Sequence, residues 1–229
     1  MAANDLVKSW FGREAARFDA IYDSDKPLHQ QIGDALFRRV ILERFSLVMN
    51  AISAPGRSIL DVGTGPGRYP IELLRRGARH TMGVDVAPEM IDIARRAAED
   101  AGFGERAAWA VSEFLDWPGT DGSGADLRYD AVVAMGYYDY MPDPAPHLAK
   151  MIRHCQGRVF ASFPKRWELR VPLRMMRFAA ARGFVRFYSR SDVVALFRQV
   201  GKLPYLSIVD LGRDYIAIYD AAGAAQPGA

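Results

Sequence analysis

The chain is poor in cysteine: Cys155 is the single one among 229 residues. A lone thiol excludes an intrachain disulfide, and no Cys/His spacing suggests a zinc site, so no metal ligands are expected. Also missing is any apolar run approaching the ~18 residues of a membrane span. The opening Met1-Ala2-Ala3-Asn4-Asp5 has neither the basic start nor the apolar core of a secretory leader, so a cytoplasmic location is expected. Charge of one sign is scarce too: 30 Lys and Arg against 27 Asp and Glu leave +3, too little to announce a polyanionic partner by itself. What remains is ordinary for a globular chain. Half of its residues are hydrophobic, enough to fill the core of one domain, or of a domain with a cap.

Order along the chain is more informative. Ser58-Ile59-Leu60-Asp61-Val62 is a short apolar run that enters a glycine-rich turn, Gly63-Thr64-Gly65-Pro66-Gly67. An amphipathic segment follows, and a second apolar run ends at Asp85. This is the βαβ opening of a nucleotide-binding α/β fold, whose glycines let the backbone pass close beneath a ligand. Strands are expected at 58–62, 81–85, 107–111, 129–135 and 158–163, with a terminal pair at 203–209 and 215–219. Helices are expected at 30–50, 68–76, 88–101, 142–154 and 191–200. Such alternation predicts a mostly parallel sheet covered on both faces. Residues 1–55 read as an N-terminal helical cap and 56–220 as the ligand-binding domain, with a helical insertion at 165–190. The Ala/Gly-rich 221–229 reads as a flexible tail. Trp10, Phe11, Phe18 and Tyr22 fall roughly on one helical face, either packed on the domain or forming a lid over the ligand.

The turn alone does not name the nucleotide. A dinucleotide loop would place its third glycine at position 68, which is Arg68, and no Gly-Lys-Ser/Thr follows as in a phosphate-binding loop. Asp85, about 20 residues downstream, suits a pair of ribose hydroxyls. Three further stretches narrow the choice: Val84-Asp85-Val86-Ala87-Pro88-Glu89-Met90-Ile91, Glu113-Phe114-Leu115-Asp116-Trp117-Pro118, and Tyr129-Asp130-Ala131-Val132-Val133-Ala134-Met135. With the glycine turn, they resemble in order the four motifs of class I S-adenosylmethionine-dependent methyltransferases, over residues 58–164. The resemblance implies a Rossmann-like methyltransferase fold, with a seven-stranded mostly parallel sheet and an antiparallel terminal strand. It implies S-adenosylmethionine as the cofactor. Asp61 and Gly63 would then meet the ligand's ammonium, Asp85 its ribose, and Met90 and Glu113 its adenine. Thr64, Gly65, Gly67, Val86, Phe114, Met135 and Tyr22 complete the implied cofactor set. Glu113 departs from the family's usual Asp, which makes its reach one methylene longer.

The acceptor is written less clearly. A sulfonium is already an activated donor, so such an enzyme chiefly aligns its reactants and excludes water. Tyr137, Tyr138, Asp139 and Tyr140 follow the fourth strand, at the end of the sheet where ligands bind. Tyr137 and Asp139 are candidate catalytic groups there, with Tyr138 and Tyr140 lining an acceptor pocket. His29 is the candidate base from the cap, whereas His147 and His154 read as surface or capping residues. No Asn/Asp-Pro-Pro-Tyr/Phe sequence follows the strand, which argues against amino methylation of nucleic acid. In 165–190, Lys165, Arg166, Arg170, Arg174, Arg177, Arg182, Arg186 and Arg190 face a single acid, Glu168. A helix there would carry a basic stripe beside an apolar one. That stripe is a solvated cap face, a surface for an anionic membrane, or an anion pocket in which Arg170 and Arg174 bind substrate. The insertion point is loosely similar to that of quinone-biosynthesis and magnesium-protoporphyrin O-methyltransferases. O-methylation of a small or lipophilic metabolite is therefore the expectation. N- or C-methylation, an RNA substrate, and a binding protein without activity are the alternatives. Nucleic acid is the least favoured partner, since no aromatics interleave with the arginines.

Overall fold

The computed structural model describes residues 28–166 and 186–224, and for 28–39, 222 and 224 the backbone alone. Helix α1 (Leu28–Ala51) leads into β1 (Ser58–Val62), α2 (Arg68–Arg75), β2 (His80–Asp85), α3 (Pro88–Asp100) and β3 (Ala107–Val111). The second half comprises β4 (Tyr129–Ala134), α4 (Pro144–Arg153), β5 (Cys155–Pro164), α5 (Arg190–Gln199), β6 (Leu206–Asp210), β7 (Asp214–Asp220) and α6 (Ala221–Ala224). Seven strands form one sheet in the order β3-β2-β1-β4-β5-β7-β6. Strand β7 runs antiparallel to both neighbours, and the pairs among the first five strands are all parallel.

Strand β1 lies centrally between β2 and β4, which is why all five of its residues are buried and why its sequence barely alternates. Val48, Met49, Leu73, Leu74 and Ala98 from α1, α2 and α3 form a core layer with Ile59, Val133 and Phe160. Leu148, Met151, Val193 and Phe197 from α4 and α5 pack with Leu60, Val132 and Phe163 in a second layer. The sheet order reverses between β1 and β4, and open α/β sheets bind their ligands beyond the carboxyl ends of strands at such a reversal.

Several element bounds differ from the expected ones for local reasons. Helix α4 starts at Pro144, because Asp143 is its N-cap and accepts from the Ala145 N–H at 3.4 Å. Strand β6 starts only at Leu206, because Tyr205 follows Pro204 with a left-handed φ of 69° and breaks the extended run. Strand β5 extends back to Cys155, which pairs with Tyr129 across a register shift. The tail begins in order: α6 is a single turn, held by the Asp220 carboxylate accepting from Gly223 N–H at 2.9 Å. The expected lid with Tyr22, the insertion residues Arg170, Arg174 and Arg177, the side chain of His29 and residues 225–229 lie outside the described residues.

Candidate functional site

The glycine turn crosses the carboxyl end of β1 and is hung from β2: the Val84 carbonyl accepts from both Gly63 N–H (2.8 Å) and Thr64 N–H (3.2 Å). Its three glycines have φ of 69°, 52° and 77° at 63, 65 and 67, a region closed to most side chains. Two of them are also crowded. A Cβ on Gly63 would lie 2.8 Å from Tyr137 Cδ2, and one on Gly67 would lie 2.7 Å from Trp109 Cη2. At Gly65 the same atom would meet nothing within 4 Å, so the middle of the turn faces open space.

Two carboxylates flank this opening. Asp61 is buried and accepts from Thr64 Oγ1 at 2.8 Å; burial, with a smaller push from Asp85, raises its pKa to about 7 against the Thr64 hydrogen bond. Asp85 accepts from Ala87 N–H at 2.9 Å through Oδ1 and from Gly65 N–H at 2.8 Å through Oδ2. Burial raises its pKa as well, opposed by those backbone donors. Asp85 thus braces the turn against the start of α3, a structural task that strand-end position alone does not reveal. Beside it Met90 is buried with Ala87, while Val86 is half-buried.

The segment 113–117 follows directly from Ser112, whose N–H donates to the Asp85 carbonyl at 2.9 Å. Phe114 is buried and stacks on Trp117 at 6.0 Å between centroids. Lys150 of α4 donates to the carbonyls of Leu115 (2.9 Å) and Trp117, and its ammonium lies over both rings. Glu113 is partly exposed, and burial raises its pKa.

The segment after β4 divides in a way its spelling conceals. Tyr137 sits on Gly63, meets Phe114 edge-on at 6.4 Å, and its hydroxyl is 2.7 Å from His147 Nδ1. Burial pushes this phenol far up, so it is a neutral hydrogen-bonding group and not a tyrosinate base. Tyr138, expected to line an acceptor pocket, is core: it is fully buried, stacked on Phe163 at 4.7 Å, with its hydroxyl on Met151 Sδ at 3.3 Å. A short 3₁₀ turn (Tyr138–Tyr140) turns it inward. Asp139 is buried too, and its carbonyl accepts from Arg186 N–H at 2.8 Å. Tyr140 and Met135 are half-buried, packed against the two core layers.

His147 and His154 are not surface groups. His147 is buried, and that burial lowers its pKa. His154 is the C-cap of α4, but its ring is enclosed against Trp117 at 5.2 Å, with Nδ1 2.8 Å from the Leu127 carbonyl. Arg44 went unnoticed in the sequence. Its guanidinium forks onto Asp214, with Nε at 2.8 Å from Oδ2 and a terminal nitrogen at 2.7 Å from Oδ1, tying α1 to the first residue of β7. A signal existed: Arg44 lies between Val40 and Val48, at i+4 spacing on the buried face of α1. The flanks of the arginine-rich insertion are engaged by the domain, Lys165 with Asp210, Arg166 with Asp192, and Arg186 with the Pro142 carbonyl. Among the described residues no three His, Cys, Asp or Glu side chains are grouped to hold a metal.

A methyltransferase domain family matches residues 59–157. EEF1A lysine methyltransferase 2 from Mus musculus is 30% identical over 142 residues, which is 60% of this chain and 55% of the mouse protein. The ubiquinone biosynthesis O-methyltransferase of Xylella fastidiosa (strain M23) is 29% identical over 126 residues, 52% of this chain and 46% of that protein. The chain thus spans about half the length of these curated relatives. Among solved structures, magnesium protoporphyrin IX methyltransferase from Synechocystis with bound SAH superposes with a TM-score of 0.71. Its identity is 16%, with 95% of this chain and 100% of that chain covered.

Proposed function

We propose, on the premise that this chain belongs to the class I S-adenosylmethionine-dependent methyltransferases, that it transfers a methyl group to an oxygen of a small or lipophilic metabolite. The observation that carries the donor half is the glycine turn, open over Gly65 and flanked by the carboxylates of Asp61 and Asp85. Asp61 fits a ligand ammonium, because a buried carboxyl whose pKa has risen to about 7 gains most from a cation beside it. The carboxylate of Asp85 has four lone-pair sites, so it can accept from ribose hydroxyls as well as from Gly65 and Ala87. Met90 and Phe114, both buried beside this opening, are the proposed apolar neighbours of an adenine, and Glu113 the proposed acceptor for its amino group.

When bound, S-adenosylmethionine supplies a methyl group already activated by a sulfonium. The chain's own residues then have to bind, orient and keep out water. Tyr137 packs beside Gly63, and Tyr140 is the proposed contact for an acceptor. A carboxylate acceptor needs no base; for a hydroxyl, His29 is the proposed proton acceptor. The names of the quinone-biosynthesis relatives support oxygen as the methylated atom, and the arginines of 165–190 support an anionic acceptor or contact with an anionic membrane.

The test is homocysteine release after coupling with a hydrolase, with phenols, carboxylic acids and lipid extracts against amines, peptides and RNA. Turnover confined to hydroxyl or carboxyl acceptors is expected. Turnover confined to lysine peptides would instead support an amine acceptor, as the mouse relative's name suggests.

A further inference from the structure

His147 has no task in the donor site described above, yet it is buried in contact with two of its walls. Its Nδ1 is 2.7 Å from the Tyr137 hydroxyl and 3.9 Å from Glu113 Oε1. Tyr137 in turn is the side chain on which Gly63 rests, at a distance that would not admit a Cβ. The imidazole thus stands where the glycine turn, through Tyr137, meets the adenine-side wall, through Glu113. It is presented by α4, the helix whose Lys150, one turn further on, holds the carbonyls of Leu115 and Trp117. Positions 147, 150 and 154 follow helical spacing, so one face of α4 is given over to that wall.

We infer that His147 is a positioning residue for donor binding, which fixes Tyr137 against the glycine turn and so sets the width of the donor cleft. The Tyr137 ring is edge-on to Phe114 at 6.4 Å and to Tyr138 at 5.5 Å, and these contacts fix its plane. They leave its swing toward or away from Gly63 to the hydroxyl's partner. A phenol at this depth without that partner would turn to find another, and Gly63 would follow it. This inference rests on the reading of the cleft as the S-adenosylmethionine site.

The experiment measures S-adenosylhomocysteine affinity by calorimetry, and melting temperature without ligand, for wild type, Tyr137→Phe, His147→Leu, the double variant and His147→Gln. Losing one partner of a buried hydrogen bond is costly, while replacing both with apolar groups is nearly neutral. Each single variant, Tyr137→Phe or His147→Leu, is therefore expected to bind about five- to tenfold more weakly. The double variant should be no weaker than the weaker single. His147→Gln, whose amide oxygen can accept from the phenol, should recover most of the affinity. Singles within twofold of wild type, including a lowered melting temperature with unchanged affinity, would overturn the inference. So would losses that multiply in the double variant. Wild-type protein that binds no S-adenosylhomocysteine would defeat the donor site itself, and that result is distinct from wild-type binding with indifferent variants.

Discussion

Asp61 concentrates the physical tension of the site. Its carboxyl is removed from water with Thr64 as hydrogen-bond partner, and its pKa rises from 3.8 to about 7. Without ligand the sign is clear: folded protein holds this proton more tightly than unfolded chain, so Asp61's contribution to stability is present below pH 3.8 and lost as pH rises toward about 7. With a ligand ammonium beside it the order inverts. Binding then favours the carboxylate, so affinity for S-adenosylhomocysteine should fall as pH drops below about 7, and Asp61→Asn should flatten that slope while weakening binding. Calorimetry in buffers of different ionisation enthalpy should detect proton release on binding near pH 6. An unchanged affinity between pH 5.5 and 8 would contradict this role. The glycines of the proposed donor site were legible because each takes a positive φ. The partners of Arg44 and His147 were not legible, since Asp214 and Tyr137 lie across the tertiary fold or in another element.

At the scale of elements, α4 does more than cover the sheet. Leu148 and Met151 are fully buried in the core layer, while His147 and Lys150 reach the cleft wall. Leu148→Ala should cost about 2–5 kcal/mol, read as a lower urea midpoint at unchanged slope. A loss below ~0.5 kcal/mol would mean that the helix is not packed as described. The apolar period of this helix was legible, but its first turn was misplaced among three prolines, Pro142, Pro144 and Pro146, of which Pro142 lies before the helix. The segment 137–140 misled in another way. Four adjacent polar or aromatic residues looked like a pocket lining, and the 3₁₀ turn sends Tyr138 and Asp139 inward while Tyr137 stays at the cleft. Spacing cannot resolve such a division, because successive residues of a tight turn point in unrelated directions.

For the whole molecule, the parallel half of the sheet and its glycine turn form the platform proposed to hold the donor, and its strand order follows from alternating strand and helix patterns. That half was readable because parallel strands, helix starts and turn glycines each have local signatures. The acceptor half depends on the cap and on the insertion between β5 and α5, where helical spacing permits a cap, a membrane face or an anion pocket alike. The central claim therefore concerns the platform, and binding of S-adenosylhomocysteine tests it most directly. Titration by calorimetry should give one site per chain, with affinity weakened at least tenfold in Asp85→Ala, which removes a charged acceptor from the proposed ribose position and the brace from Gly65. No binding by the folded wild-type protein at millimolar ligand, or equal binding by Asp85→Ala, would contradict the account.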